Sequence, residues 1–157
     1  SLTLDPQTAH PRLLLSAAGK LVRWDDARRP VPDHPKRFDS SRCVLGRESF
    51  SSGKFYWEVG VGDAGAAWAL GVAKESVRRK GRVSIKPEAG IWAVGQCGGQ
   101  FQALTSPPTP ITLPVAPRTI GVYLDYEGGR VAFVDSAQEA PIFTYPPAEF
   151  GGERVLP

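Results

Sequence analysis

The sequence is short of almost everything that catalysis requires. Histidine occurs only at His10 and His34, each followed by proline, with no Cys, Asp or second His at a metal-ligand spacing. No GxSxG motif offers a nucleophile elbow, and Gly98-Gly99 lacks the Lys-Ser/Thr of a phosphate loop. Asp5, Asp39, Asp63 and Asp125 fall among turns and strand ends, where Asp serves local hydrogen bonding. The inventory points away from an enzyme and leaves no catalytic residue, metal site or cofactor to assign.

Long apolar runs are missing too. The longest clusters, Leu13-Leu14-Leu15 and Ala66-Ala67-Trp68-Ala69-Leu70, fall far short of the ~18 residues a membrane span needs, so no membrane insertion by this chain is expected. No signal-peptide pattern opens the chain, and Ser1 in place of an initiating Met suggests a piece of a longer protein. Cys43 and Cys97 lie far apart and form no CxxC pair; they read as free, mostly buried thiols of a reducing cytosol, hence a cytoplasmic domain. Charge of one sign is scarce: the net charge is +3, and most of the excess sits in residues 74–82, KESVRRKGR. A nucleic-acid binder spreads such charge along a face, so no nucleic acid is expected as a partner of this chain by itself. The patch has two readings, a solvated turn or an anion-binding site built on Arg78, Arg79, Lys80 and Arg82.

What is present is punctuation and alternation. The 157 residues suffice for one domain, and 17 Gly and 15 Pro leave little room for helices. Short alternating stretches between turn clusters predict an antiparallel sandwich or barrel. The clearest strand spans 55–61, with Phe55, Trp57, Val59 and Val61 on one face; the next spans 68–72, and the intervening residues 62–65 read as a hairpin connection. A second hairpin joins 119–126 to 130–134 through Gly128-Gly129. Weaker strands are expected at 12–16, 20–24, 42–46, 91–95, 100–105 and 141–145, and one helical turn near residues 5–9, capped by Asp5. The Pro-rich stretch 107–117 reads as an extended edge connection. Trp57, Trp68 and Trp92 have the strand phase of core residues, whereas Trp24 precedes a polar loop that holds Arg28 and Arg29. Exposed aromatic and Arg side chains make interface hot spots.

Three motifs now fall into order: Leu4-Asp5-Pro6, Trp57-Glu58-Val59 and Leu124-Asp125-Tyr126-Glu127. Between them stand Arg37-Phe38-Asp39, Cys43-Val44-Leu45-Gly46, Phe50 with Ser52-Gly53, Gly71-Val72, Arg79-Lys80-Gly81, Pro87-Glu88 and Gly90-Ile91-Trp92. The ordered set resembles the PRY-SPRY (B30.2) domain, in particular those of tripartite-motif ubiquitin ligases, pyrin and butyrophilins.

The resemblance implies an all-β fold: a bent antiparallel, concanavalin-like jelly-roll sandwich of two sheets with a short N-terminal helical turn. It implies one domain over 1–157, a PRY part over about 1–46 and a SPRY part over about 47–157, with the family's last strand absent and a sheet edge less protected. The function it implies is recognition of a protein or peptide through variable loops, as the substrate-targeting domain of a tripartite-motif ligase. The alternatives are the intracellular domain of a butyrophilin-like receptor, or a small-anion sensor on residues 78–82. Ligase activity would reside in a RING domain outside this chain, and the parent could dimerise through a coiled coil, also outside it. By loop position the partner-binding residues would be Trp24, Arg28, Arg29, Ser41 and Arg42, with Gln96, Cys97, Gln100 and Gln102 flanking Gly98-Gly99. Where relatives bind phosphorylated small molecules through basic side chains, this chain has Ala69, Ser84, Gln102 and Pro108; where one relative grips antibody Fc through tryptophans, it has Gly95 and Cys97. Both ligands are therefore disfavoured. Gly60 replaces an acidic residue common in relatives, at an outward position where little effect is expected.

Overall fold

Alternation of apolar and polar side chains decides the longest pairings. In the computed structural model, which describes residues 1–65 and 67–157, β3 (Lys54–Gly60) lies antiparallel to β8 (Thr119–Asp125) with Trp57 opposite Val122 and Val59 opposite Ile120. β8 turns back into β9 (Arg130–Asp135), and β10 (Ala140–Thr144) completes a sheet of order β10-β9-β8-β3. A second sheet holds β4 (Ala67–Lys74), β5 (Ile91–Cys97), β6 (Gln100–Ala103), β7 (Thr109–Pro110) and β11 (Val155–Leu156), in the order β11-β4-β5-β6-β7. β1 (Leu13–Leu15) and β2 (Val22–Trp24) form a separate two-stranded hairpin.

The two larger sheets pack through their apolar faces. Ile120, Val122, Val131 and Val94 are fully buried, with Phe133, Trp92, Phe101, Phe150 and Val155 in the same cluster. Each such side chain contributes about 1.5–3 kcal/mol by leaving water. Tyr145, just after β10, reaches across to β5: its hydroxyl donates to the Ala93 carbonyl (2.6 Å) and accepts from the Ala93 N–H (3.3 Å). A smaller cluster of Phe38, Leu45, Ala73, Val77 and Leu156 seats the N-terminal segment on the β11-β4 side of the five-stranded sheet.

Residues 45–50 lie between the two ends of the chain. Asp5 N–H donates to Leu45 O (2.8 Å), Arg47 N–H to Thr3 O (2.9 Å) and Gly46 N–H to Pro157 O (2.9 Å), while Phe50 and Val155 exchange both backbone hydrogen bonds (2.8 and 2.9 Å). Buried Thr8 locks this seam, accepting from Leu45 N–H (2.9 Å) and donating to Asp5 O (2.8 Å) through one hydroxyl.

Several sequence expectations need correction. Residues 62–65 do not close a hairpin: β3 pairs with β8 and β4 with β5, so the chain crosses there from one sheet to the other. Ala66, part of the apolar run noted above, lies outside the described residues. Residues 42–46 form no strand, Gly46 alone making a bridge, to Leu4. Residues 5–9 make a hydrogen-bonded turn rather than a helix, although Asp5 does cap it by accepting from Gln7 N–H (3.0 Å). A single 3-10 turn, Pro87–Ala89, occurs where a loop was expected. The Pro-rich stretch does run along an edge, as β7. Gly98 and Gly99, both with positive φ (58° and 81°), form the β5–β6 turn, a conformation that L side chains rarely adopt.

Candidate functional site

The outward face of the five-stranded sheet is concave because its central side chains are small. Ala69, Gly95 and Gln102 stand opposite one another across β4, β5 and β6; Gly71 faces Ala93, and Ala73 faces Ile91. A Cβ on Gly71 would overlap the Trp92 carbonyl, and one on Gly95 the Trp68 carbonyl. Only glycine allows β4 and β5 to approach this closely. Phe38, Cys43, Val44 and Leu45 wall one side of the depression, Val77 and Ile85 help line it elsewhere, and together they enclose about 110 Å³. Pockets that enclose small-molecule ligands run to about 300–1,000 Å³, so this one suits an anchoring apolar side chain better than a whole metabolite. Burial pushes the Cys43 thiol above its ordinary value, which leaves it protonated and unreactive at neutral pH.

Arg42, next to the wall residue Cys43, places its guanidinium over the Trp24 ring at 4.1 Å, with that of Arg12 at 5.8 Å. His10 packs against the same indole, centroids 6.1 Å apart. The imidazole is held below its usual value by burial and then by the charges of Arg28, Arg42 and Arg12. Arg29 is engaged differently, its guanidinium donating to Asp25 Oδ2 at 2.7 Å. Ser41 acts as a strut, its Oγ accepting from Val83 N–H at 2.8 Å.

The second expected group does not stay together. Cys97 pairs with Gln100 and Gly95 with Gln102, which puts Cys97, Gln100 and Gln102 on the outward face. Gln96 pairs with Trp68 and with buried Phe101, on the opposite face. Cys97 is exposed rather than buried, and Cys43 is half-buried; both thiols are free. Among residues 78–82 the cations are largely committed to the protein itself. Arg79 donates from Nε to Val77 O (3.1 Å), and from its two terminal nitrogens to Lys36 O (2.7 Å) and Glu75 O (2.9 Å), while lying over Phe38. Lys80 holds Asp33 (2.7 Å) and His34 O (2.8 Å), and Arg78 Nε donates to Lys80 O. Of these cations only Lys80 meets a carboxylate among the described residues.

Sequence reasoning missed the floor (Ala69, Gly71, Ala93) as a site, and missed Arg12 and His10 beside Trp24. Small residues at every second position of β4 were the readable sign of the floor. The rim needed the Leu13-to-Trp24 register of β1 and β2, which brings residues 10–12 alongside the end of β2. On the outward face of the other sheet Tyr56 and Tyr123 pack with tilted rings, centroids 4.4 Å apart, and donation to Glu58 (2.6 Å) pushes the Tyr56 hydroxyl up to about 12.

Comparison with known proteins gives two family matches in tandem, a SPRY-associated domain (PRY) over residues 2–50 and a SPRY domain over residues 54–155. Bovine butyrophilin subfamily 1 member A1 is 48% identical over 151 residues, covering 96% of this chain and 28% of the relative. The human E3 ubiquitin-protein ligase TRIM58 is 45% identical over 143 residues, covering 90% of this chain and 29% of the relative. The chain thus spans less than a third of either relative's length. The crystal structure of the TRIM65 PSpry domain superimposes with a TM-score of 0.81 at 24% identity, covering 99% of this chain and 81% of that one, a likeness of fold.

Proposed function

The chain belongs to the PRY-SPRY (B30.2) family, and from that premise we propose that its small-residue concave face and the Trp24–Arg42 rim form the docking surface for a protein or peptide partner. The observation that carries the reading is the floor itself: Ala69, Gly71, Ala73 and Ala93 line an apolar hollow whose wall residue Cys43 follows the tryptophan-stacked Arg42 in the chain. An apolar anchor in a desolvated pocket with an aromatic and Arg rim is the usual anatomy of an interface hot spot. Three of the residues proposed for partner binding, Cys97, Gln100 and Gln102, continue the same outward face. The unit proposed is a single PRY-SPRY domain that acts by binding rather than catalysis, and free Cys97 on its surface favours a reducing, cytoplasmic setting.

At the level of the parent protein, the leading reading is the substrate-targeting domain of a tripartite-motif ubiquitin ligase. The intracellular domain of a butyrophilin-like receptor is the second reading, favoured by the 48% identity to a butyrophilin. A RING and coiled coil in the parent chain would support the first; a transmembrane helix would support the second. The docking face is tested by selecting random dodecapeptides on the immobilised domain and measuring their affinity for Ala69→Arg, an exposed floor position that tolerates a larger side chain. Loss of at least about tenfold is expected; selected peptides indifferent to Ala69→Arg and to Gln102→Ala would remove the proposal.

A further inference from the structure

Two guanidiniums, those of Arg12 and Arg42, lie over Trp24. Arg12, Arg28 and Arg42 make no ion pair among the described residues, whereas their neighbour Arg29 is matched by Asp25. Arg12 Nε is buried without a hydrogen-bond partner, the one such side-chain atom among the described residues. A desolvated guanidinium N–H without a partner is costly and favours an incoming acceptor. The carboxylate of Asp39, which opposes the lowering at His10, is already held by Ser40 Oγ (2.9 Å) and Gly81 N–H (2.8 Å).

Beside these cations lies exposed apolar surface. Val22, 41% exposed, shares the strand face of Trp24 two residues away, and Leu21, 71% exposed, precedes it. Two residues of strand span roughly 6.6 Å, the same step that separates side chains i and i+2 of an extended peptide. A carboxylate at Trp24 and an apolar side chain over Val22 therefore fit one peptide strand. Nucleic acid fits less well: Arg42 already covers one indole face on which a base would stack, and two cations at one ring make a spot rather than a backbone-tracking stripe.

We propose that Arg12 and Arg42 around Trp24 form an acid-recognition subsite, which takes an Asp or Glu side chain of an extended partner peptide whose apolar residue two positions away rests on Val22. The subsite deepens the docking face proposed above and rests on that reading. A carboxylate accepting from two guanidiniums gains charge-assisted hydrogen bonds that a carboxamide cannot reproduce.

The test titrates the ¹⁵N-labelled chain with the peptide acetyl-Ser-Leu-Ser-Glu-Ser-amide and with its Gln analogue, following the Trp24 indole and the arginine Nε–H signals. The Glu peptide should shift them saturably, and the Gln peptide at least about tenfold more weakly. Arg42→Gln, at an exposed position, should weaken the Glu peptide at least about tenfold with the remaining spectrum unchanged, and Arg12→Gln/Arg42→Gln further. Equal response to both peptides, an equal response to inorganic phosphate, or stronger perturbation by a single-stranded octanucleotide would overturn the inference. If selected dodecapeptides lose affinity for Ala69→Arg while the Trp24 signals stay still, the docking face stands and the acid subsite falls. If neither responds, both fall.

Discussion

The imidazole of His10 accepts a hydrogen bond at Nδ1 from the Arg12 backbone N–H (3.1 Å), an arrangement that only a ring unprotonated at Nδ1 can make. Burial, with Arg28, Arg42 and Arg12 behind it and Asp39 opposing, holds the folded-state value below 6.5. The unfolded chain then binds the proton more readily, so this contribution to stability is fully present above pH 6.5 and is lost as the pH falls through the lowered folded value. The thermal midpoint should drop between pH 7.5 and 5.5, and the drop should shrink in His10→Asn, which keeps an acceptor near Nδ1 but cannot take up a proton. Glycines separate just as sharply at this scale. Gly60 has negative φ and nothing within 4 Å of an added Cβ, so Gly60→Ala should stabilise by about 0.5–1 kcal/mol through the unfolded chain. Gly71→Val, forced against the Trp92 carbonyl, should cost about 3 kcal/mol. Urea titration of the two variants checks both signs.

Among elements, the loop over residues 33–39 is tied to residues 75–81 by Arg79 rather than by any strand pairing. Arg79→Ala should cost about 2 kcal/mol, since three carbonyls lose a charged donor; Lys80→Ala, at an exposed pair, should fall within the error of the same denaturation measurement. Tyr145→Phe removes the hydroxyl that joins the sheets and should cost about 1–2 kcal/mol. The strands of this fold were legible wherever a side chain's face is a local matter: the alternation of Trp57, Val59 and Val61, or of Ile120, Val122 and Leu124, needs no knowledge of the partner strand. Partners were not legible. Gly62, Asp63 and Gly65 form a turn equally well whether the next strand folds back or crosses to another sheet, and here it crosses. Cys43, Val44 and Leu45 look like a strand because they are apolar, yet their apolar surface is spent walling a hollow and meeting Thr8. Trp24 reads from sequence as an exposed aromatic and Arg42 as a loop cation, but Trp24 is half-buried and their stacking depends on loops that are distant in sequence.

For the whole molecule, the N-terminal segment and the two sheets share buried contacts through Phe38, Leu45 and Phe50, so the family's two parts should not melt separately. Far-ultraviolet circular dichroism and tryptophan fluorescence should trace one coincident transition; two resolved midpoints would mean that the N-terminal segment is an independent unit. The seam at residues 45–50 has a further consequence, in time rather than in energy. Ser49 accepts from Arg154 across 105 residues of chain, and Phe50 closes with Val155 beside it. Contacts this distant in sequence form late, because the loop must be closed before they return anything. During synthesis the Trp24–Arg42 rim would thus emerge early, yet wait for nearly the whole domain before residues 45–50 gain their second partner. A nascent chain stalled short of residue 155 would carry Trp24 and Arg42 without the seam that seats them.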